Sequence, residues 1–308
     1  MSKVLCIYHG GCADGFGAAW VVRRAFADYV EFVAASYNQP PPDVTGRNVL
    51  IVDFSYKRAV LEQMIETARS ILVIDHHRSA AQDLVAWLGA PPTWEAWRTI
   101  EGTEHPALRI SALFDMDRSG AGLTWDYFNP GQPRPPLIDH IEDRDLWRFR
   151  LPHTRPVHAV LMSYPYDFGV WDDIAMRVEA QDPVLIAEGV AIDRRLLKET
   201  HEVIGAGKRR MTIAGHDVPA CNAPYLMASD AGNIMGEGEP FAATYFDGPD
   251  GRAFSLRSRG AGLDVSEIAK LFGGGGHRNA AGFLVPHGAD VSKAGLGADP
   301  VPTQSPSF

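Results

Sequence analysis

Ile71 to Ile74 form an apolar run that leads directly into Asp75, His76, His77 and Arg78. A strand that buries its side chains cannot cheaply hide a carboxylate and two imidazoles unless they are paired or hold a cation. The pattern occurs twice more. Val4–Tyr8 leads into His9 and the turn Gly10-Gly11-Cys12-Ala13-Asp14-Gly15, and Val49–Val52 leads into Asp53. Imidazole and carboxylate together suit borderline-hard divalent metals such as manganese, zinc or iron(II). A single acid at a strand end is ordinarily a helix cap or turn residue. Three ends carrying the same donor types point instead to one shared metal site. Asp139, Glu142, Asp143 and Asp145 crowd around one helical turn, which is unfavourable unless a cation is near. A solvated acidic face is the expectation for Asp139 and Glu142.

The elements that would bring these groups together are legible as alternating patterns. Lys3–Tyr8, Val30–Ala34, Asn48–Phe54 and Ser70–Ile74 have the length and apolarity of strands. Between them, Gly17–Ala27 and Tyr56–Ala68 have helical spacing; in the second, Val60, Leu61, Met64, Ile65 and Ala68 make one stripe. Strands alternating with helices imply right-handed crossovers and a mostly parallel sheet, whose functional groups gather beyond the carboxyl ends of its strands. The fold class expected is α/β. Pro91–Pro106 reads as a surface excursion. Gly120–Phe128 and Leu137–Phe149 read as helices, with Ser119 as the N-cap of the first. Trp171–Lys208 reads as a long helical region.

From Arg210 the texture turns to β, with a helix at Ser266–Phe272 and then the block GGGGHRNAAGF. Four consecutive glycines, Gly273 to Gly276, suit close backbone approach to an anion, ahead of a helical turn at Asn279–Gly282. Arg257 and Arg259 alternate onto one face of a strand. The expected organisation is a metal-binding catalytic domain over 1–180, a helical connector over 181–208, a smaller mixed α/β substrate-binding domain over 209–287, and a disordered tail over 288–308.

With 308 residues, 45% hydrophobic and 22% charged, the chain has room for two cores and the composition of an ordinary globular protein. A net charge of −9 argues against gripping long duplex DNA through its backbone, but leaves small nucleotides open. Cys6, Cys12 and Cys221 are odd in number and widely spaced, against a disulfide framework. The N-terminus lacks the shape of a signal peptide, and no apolar run approaches the roughly 20 residues that span a bilayer. The expectation is a cytoplasmic protein with no membrane association; a homodimer is compatible with it.

The ordered series HGGCADG, IVDFS, VIDHH, IEDRDLW and GGGGHRNAAGF, running from Val4 to Val285, resembles the DHH phosphoesterases with a C-terminal DHH-associated domain. The resemblance implies a parallel-sheet N-terminal domain, a smaller C-terminal domain and an active-site cleft between them. It implies hydrolysis of phosphodiester or phosphoanhydride bonds with one or two divalent ions, manganese or a related metal. His9 and His76 match metal ligands, Asp53 matches the carboxylate bridging two metals, and Asp143 matches the fourth-motif ligand, with Asp145 close by as the alternative. Asp75 would orient an imidazole, and His77 would face the substrate phosphate. Arg257, Gly274, Gly275, Gly276 and His277 would hold the substrate.

The family's first motif commonly has two acids, four and six residues after the histidine. Here Asp14 is the sole acid, and Cys12 sits where the earlier one would fall after a one-residue deletion. As a thiolate, Cys12 would favour zinc or iron(II) over manganese; a packed or hydrogen-bonded thiol is its other reading. The function expected is hydrolysis of phosphodiester or phosphomonoester bonds in small nucleotides or short oligonucleotides. A pyrophosphatase- or polyphosphatase-like hydrolase and a catalytically inactive nucleotide-binding regulator are the alternatives.

Overall fold

Val4 to His9, Asn48 to Val52 and Ser70 to Asp75 are runs in which nearly every side chain is apolar, so both faces of each strand must be covered. The computed structural model, which describes residues 4–26, 29–36, 39–89, 91–98 and 109–293, covers them with helices. The chain divides into two compact units, Met1–Asp193 and Arg194–Phe308.

The first unit runs β1 (Val4–His9), α1 (Ala13–Phe26), β2 (Val30–Ala35), β3 (Asn48–Val52), α2 (Arg58–Thr67), β4 (Ser70–Asp75), α3 (Arg78–Asp83), α4 (Trp94–Arg98) and β5 (Ile110–Phe114). The helices α5 (Gly120–Phe128), α6 (Pro136–Asp145), α7 (Thr154–Ser163) and α8 (Phe168–Glu179) follow. A long helix, α9 (Pro183–Gly207), continues into the second unit. The five strands are parallel in the order β2-β1-β3-β4-β5.

Alternation sorts the side chains. Cys6, Leu50, Val52, Leu72 and Ile74 face one core with α1, α5, α6 and α8. Ile7, Val49, Ile51, Ile71 and Val73 face the other with Leu61, Met64 and Ile65 of α2. The register sets the site: Tyr8 pairs with Val52 and Val52 with Ile74, so His9, Asp53 and Asp75 leave the three central strands at one level. Trp97 of α4, within the stretch expected to be a surface excursion, is fully buried in the core; residues 99–106 of that stretch lie outside the described residues.

The second unit holds β6 (Arg209–Ile213), β7 (His216–Asn222), α10 (Ala228–Met235), β8 (Ala242–Gly248), β9 (Gly251–Arg257), α11 (Val265–Lys270), β10 (Gly275–His277) and β11 (Ala280–Val285). Its sheet has the order β10-β11-β9-β8-β7-β6 and is antiparallel except where α10 carries the chain from β7 to a parallel β8.

Two expectations are corrected here. The glycine block is a hairpin arm, and Asn279–Gly282 turns into β11 rather than into a helix. The reason is steric: a Cβ on Gly274 would lie 2.6 Å from the Phe283 Cβ, and one on Gly276, at φ +139°, would lie 2.6 Å from the Ala280 carbonyl. The tail also begins later than its composition predicts. Val291 is buried and its carbonyl accepts from the Ala214 N–H at 2.8 Å; residues 294–308 lie outside the described residues. Among the described residues, no helix is long and apolar enough to cross a membrane.

Candidate metal centre

β1 delivers His9 to the rim and the chain must then reverse into α1. It does so through Cys12, whose Sγ accepts the Gly15 N–H at 3.2 Å from the first turn of that helix. Gly15 has to be glycine because a Cβ there would sit 2.7 Å from the His9 Cβ. Asp53, one residue past β3, holds φ +53°, a region few non-glycine residues adopt and one enriched at functional sites. Gly120, opening α5, packs directly on it: a Cβ would lie 2.6 Å from Asp53 Oδ1. These close approaches press the rim side chains together.

The resulting cluster is tight. Asp53 Oδ2 lies 3.5 Å from His9 Nδ1 and accepts the Cys12 thiol at 3.4 Å, while Asp53 Oδ1 lies 3.2 Å from His76 Nε2. His76 Nε2 in turn lies 3.5 Å from Asp14 Oδ2 and 3.7 Å from Asp145 Oδ2. Asp14 is anchored by two N–H donors at the start of α5, Gly120 at 2.6 Å and Ala121 at 2.9 Å. Asp75 Oδ1 accepts the His76 N–H at 2.7 Å and stands 2.7 Å from His77 Nδ1, so it fixes the second imidazole.

The fourth acid differs from the expectation. Asp143 accepts from the backbone of Arg150 at 2.8 Å and of Leu151 at 3.1 Å, and from the Thr154 hydroxyl at 2.5 Å, which commits it to the turn after α6. Asp145 is the acid of this helix that joins His76 and Asp14. Glu142, expected on a solvated face, is instead 12% exposed; it accepts the Ser119 N–H at 3.0 Å and pairs with Arg134 at 2.9 Å. Sequence reasoning identified Ser119 as a cap, which the Gly122 N–H to Ser119 Oγ bond matches, but missed that the next two N–H groups hold Asp14. The available signal was the small-residue start of α5, Ser119-Gly120-Ala121-Gly122, which lets a carboxylate approach the backbone.

Electrostatics set this cluster apart from an ordinary core. Burial, then the Asp53 and Asp145 charges, push the Asp14 carboxyl well above its usual range. Burial also pushes the Cys12 thiol up, reinforced by Asp53 and Asp14. Burial acts on Asp53 in the same sense, but the His76 and His9 imidazoles outweigh it and hold that carboxyl well below normal. For His76, burial opposes the charged form and the contacts with Asp53 and Asp145 outweigh it, so its pKa is raised.

Three carboxylates and a thiol so close, with Asp53 only 1% exposed and its Oδ1 lacking an aligned hydrogen bond, are short of positive charge. A divalent cation is the species this donor set fits. Two groupings with ligand atoms within 4.8 Å of one another, His9-Cys12-Asp53 and Asp53-Asp75-His76-His77, have Asp53 in common, and a third, Asp14-His76-Asp145, shares His76 with the second.

In the second unit, Arg257 ends β9 and His277 ends β10, both opposite Ala280 of β11 and therefore at one level of the sheet. The Arg257 guanidinium donates to Ser229 Oγ at 2.9 Å and its stem packs on Gly232. Arg259, past the strand end, turns to the Asn233 carbonyl instead.

No family model matches the chain. An uncharacterized protein of Acanthamoeba polyphaga mimivirus is 29% identical over 304 aligned positions, taking in 90% of this chain; the chain spans 66% of that relative's length. Among solved structures, the DHH domain of a member of the s1p family of ribosomal proteins matches with TM-score 0.56 and 14% identity, over 91% of this chain and 82% of that one. The chain has the DHH fold. RecJ from Thermus thermophilus, solved with Mn2+, matches with TM-score 0.47 and 15% identity over 92% of this chain and 50% of that one. In this fold, His9, Asp53 and the Asp75-His76-His77 triplet occupy adjacent strand ends of the parallel sheet.

Proposed function

We propose that this chain is a divalent-metal-dependent phosphohydrolase, cleaving phosphodiester or phosphomonoester bonds in small nucleotides or short oligonucleotides. The observation that carries the reading is the placement of Asp53 between His9 and Cys12 on one side and His76 on the other. His9, Cys12, Asp14, Asp53 and His76 would hold the metal, with Asp145 in the place expected for Asp143. Bound there, a divalent ion such as manganese supplies charge neutralisation for the phosphoryl oxygens and lowers the pKa of a bound water.

The chain's own residues then have separable tasks. The two N–H groups that open α5, Gly120 and Ala121, hold the Asp14 carboxyl in place. Asp75 orients His77, whose ring is the proton donor to the departing oxygen. Arg257 and His277, at one level of the second sheet, bind substrate phosphate, with Gly274, Gly275 and Gly276 shaping the arm that presents His277.

The test is purified protein with manganese or zinc and a panel of dinucleotides, cyclic dinucleotides, bisphosphorylated nucleosides and pyrophosphate. Turnover of a nucleotide is expected. Saturable nucleotide binding without turnover under any metal would replace the enzyme with a binding protein, and turnover of pyrophosphate alone would redirect the substrate class. Arg257→Ala should keep its metal and raise KM about tenfold, the loss of one charge-assisted phosphate contact.

A further inference from the structure

The ligand groupings at the rim differ in one atom type. His9, Cys12 and Asp53 offer nitrogen, sulfur and oxygen; Asp14, His76 and Asp145 offer nitrogen and oxygen only. The sulfur sits among atoms that can ligate a metal. Cys12 Sγ stands 3.4 Å from both His9 Nδ1 and Asp53 Oδ2, and the Gly15 N–H points at it from the first turn of the fourteen-residue α1. The Gly15 N–H directed at the sulfur would stabilise the thiolate that forms as a metal takes the place of the thiol proton. Cys6 and Cys221 are buried away in the cores, whereas Cys12 is partly exposed at the rim.

Thiolate selects zinc, iron(II) and cobalt(II) over manganese and magnesium, while carboxylate-rich sets suit manganese and magnesium. We infer that the rim is a chemically asymmetric centre, in which the Cys12 side takes a thiophilic divalent cation, the Asp14-Asp145 side takes a hard one, and Asp53 serves both. The inference rests on the proposal of a metal-dependent enzyme, and adds which ion each side prefers. Uptake on the sulfur side breaks the Sγ–H bond as the sulfur–metal bond forms, and the proton leaves to solvent; uptake on the carboxylate side has no such thiol proton to release.

The experiment uses the whole chain after chelation. Cobalt(II) should produce a near-ultraviolet sulfur-to-cobalt charge-transfer band with the first equivalent, lost in Cys12→Ser. In Cys12→Asp, the preference for zinc over manganese should fall by at least roughly tenfold. Alkylation of the wild-type chain needs no variant to fold: zinc should protect Cys12 from iodoacetamide, read by peptide mass, and manganese should not. Cobalt bound without the band, together with alkylation that zinc leaves unchanged, overturns the asymmetry even if manganese supports hydrolysis. A band and zinc protection without hydrolysis of any phosphate ester leave the asymmetry standing and remove the hydrolase.

Discussion

Gly120 in the first unit and Gly276 in the second both occupy corners with no room for a Cβ, and what stands across from each differs. Opposite Gly120 is the Asp53 carboxylate, in left-handed backbone and surrounded by imidazoles and other acids. Opposite Gly276 is the backbone of Ala280 and Ala281, part of an ordinary antiparallel pair. The first close approach packs Asp53 between imidazoles that attract it and beside the Asp14 carboxylate that repels it, an arrangement that a divalent cation would complete. The second lets two strands meet and needs no ligand. A glycine-rich block is therefore weaker evidence of a binding loop than a lone glycine that forces a charged side chain into a cluster.

Asp53→Asn tests the chemical half of that contrast most severely. Asparagine tolerates the same left-handed backbone, so the change removes charge and little else. Metal content should collapse, and kcat/KM should fall by at least on the order of 10³-fold. Elemental analysis beside steady-state kinetics checks it; a variant that keeps metal and rate would show that Asp53 does not bridge anything.

The two glycines should next separate cleanly. Gly120→Ala displaces Asp53, and a displacement near 1 Å at reacting groups costs about 10²-fold in rate. Gly276→Ala should cost about 1–3 kcal/mol by overpacking and strained φ, read in urea denaturation, with metal affinity unchanged by calorimetry. Loss of metal from the second variant, or none of rate from the first, would erase the distinction drawn between the units.

The parts legible from sequence were those where one strong local pattern decides. The runs Val49–Val52 and Ile71–Ile74 announced buried parallel strands, and a polar residue after each announced the rim. What failed depended on rotation or on contacts across the fold. Asp143 and Asp145 are two residues apart, about 200° around a helix, so choosing between them requires the helix phase, which spacing alone left open. Glu142 looked solvated because its partners, Arg134 and the Ser119 N–H, come from segments outside its own helix. The helix α7 passed unnoticed behind the turn residues that precede it, although Val157, Val160 and Leu161 carry its buried face. The glycine arm was misread because only Phe283 and Ala281, several residues downstream, explain it.

Within the rim, Asp75 and His77 give a prediction about pH. Burial lowers the His77 pKa, but the Asp75 charge and hydrogen bond outweigh that and raise it, so the ring keeps its proton to higher pH than a free imidazole. If His77 donates that proton, activity persists above the ordinary imidazole value of about 6.5 and falls on the alkaline side. Asp75→Asn should move that alkaline limb toward lower pH and reduce kcat about tenfold. A limb that stays in place in the variant would assign the proton to another group.

The smallest effect separates two neighbouring acids. Asp143 is 5% exposed; burial raises its carboxyl, but the Thr154 hydroxyl and the Arg150 and Leu151 N–H groups outweigh this and hold its pKa below normal. A depressed folded pKa means the carboxylate stabilises the fold above its unfolded pKa of about 3.9, and that the contribution is lost as pH falls through the folded value. Asp143→Asn should therefore cost about 1–3 kcal/mol at neutral pH, a difference that shrinks in acid, and leave metal affinity intact. Asp145→Asn should do the reverse: nearly unchanged stability in chelator, because its side chain is about one-third exposed, and metal affinity lower by at least roughly tenfold. Denaturation across pH, paired with metal titration of both variants, decides between them. If Asp143→Asn releases metal while Asp145→Asn holds it, the two acids have been assigned the wrong way round, and the α6 end of the rim must rearrange when the ion binds.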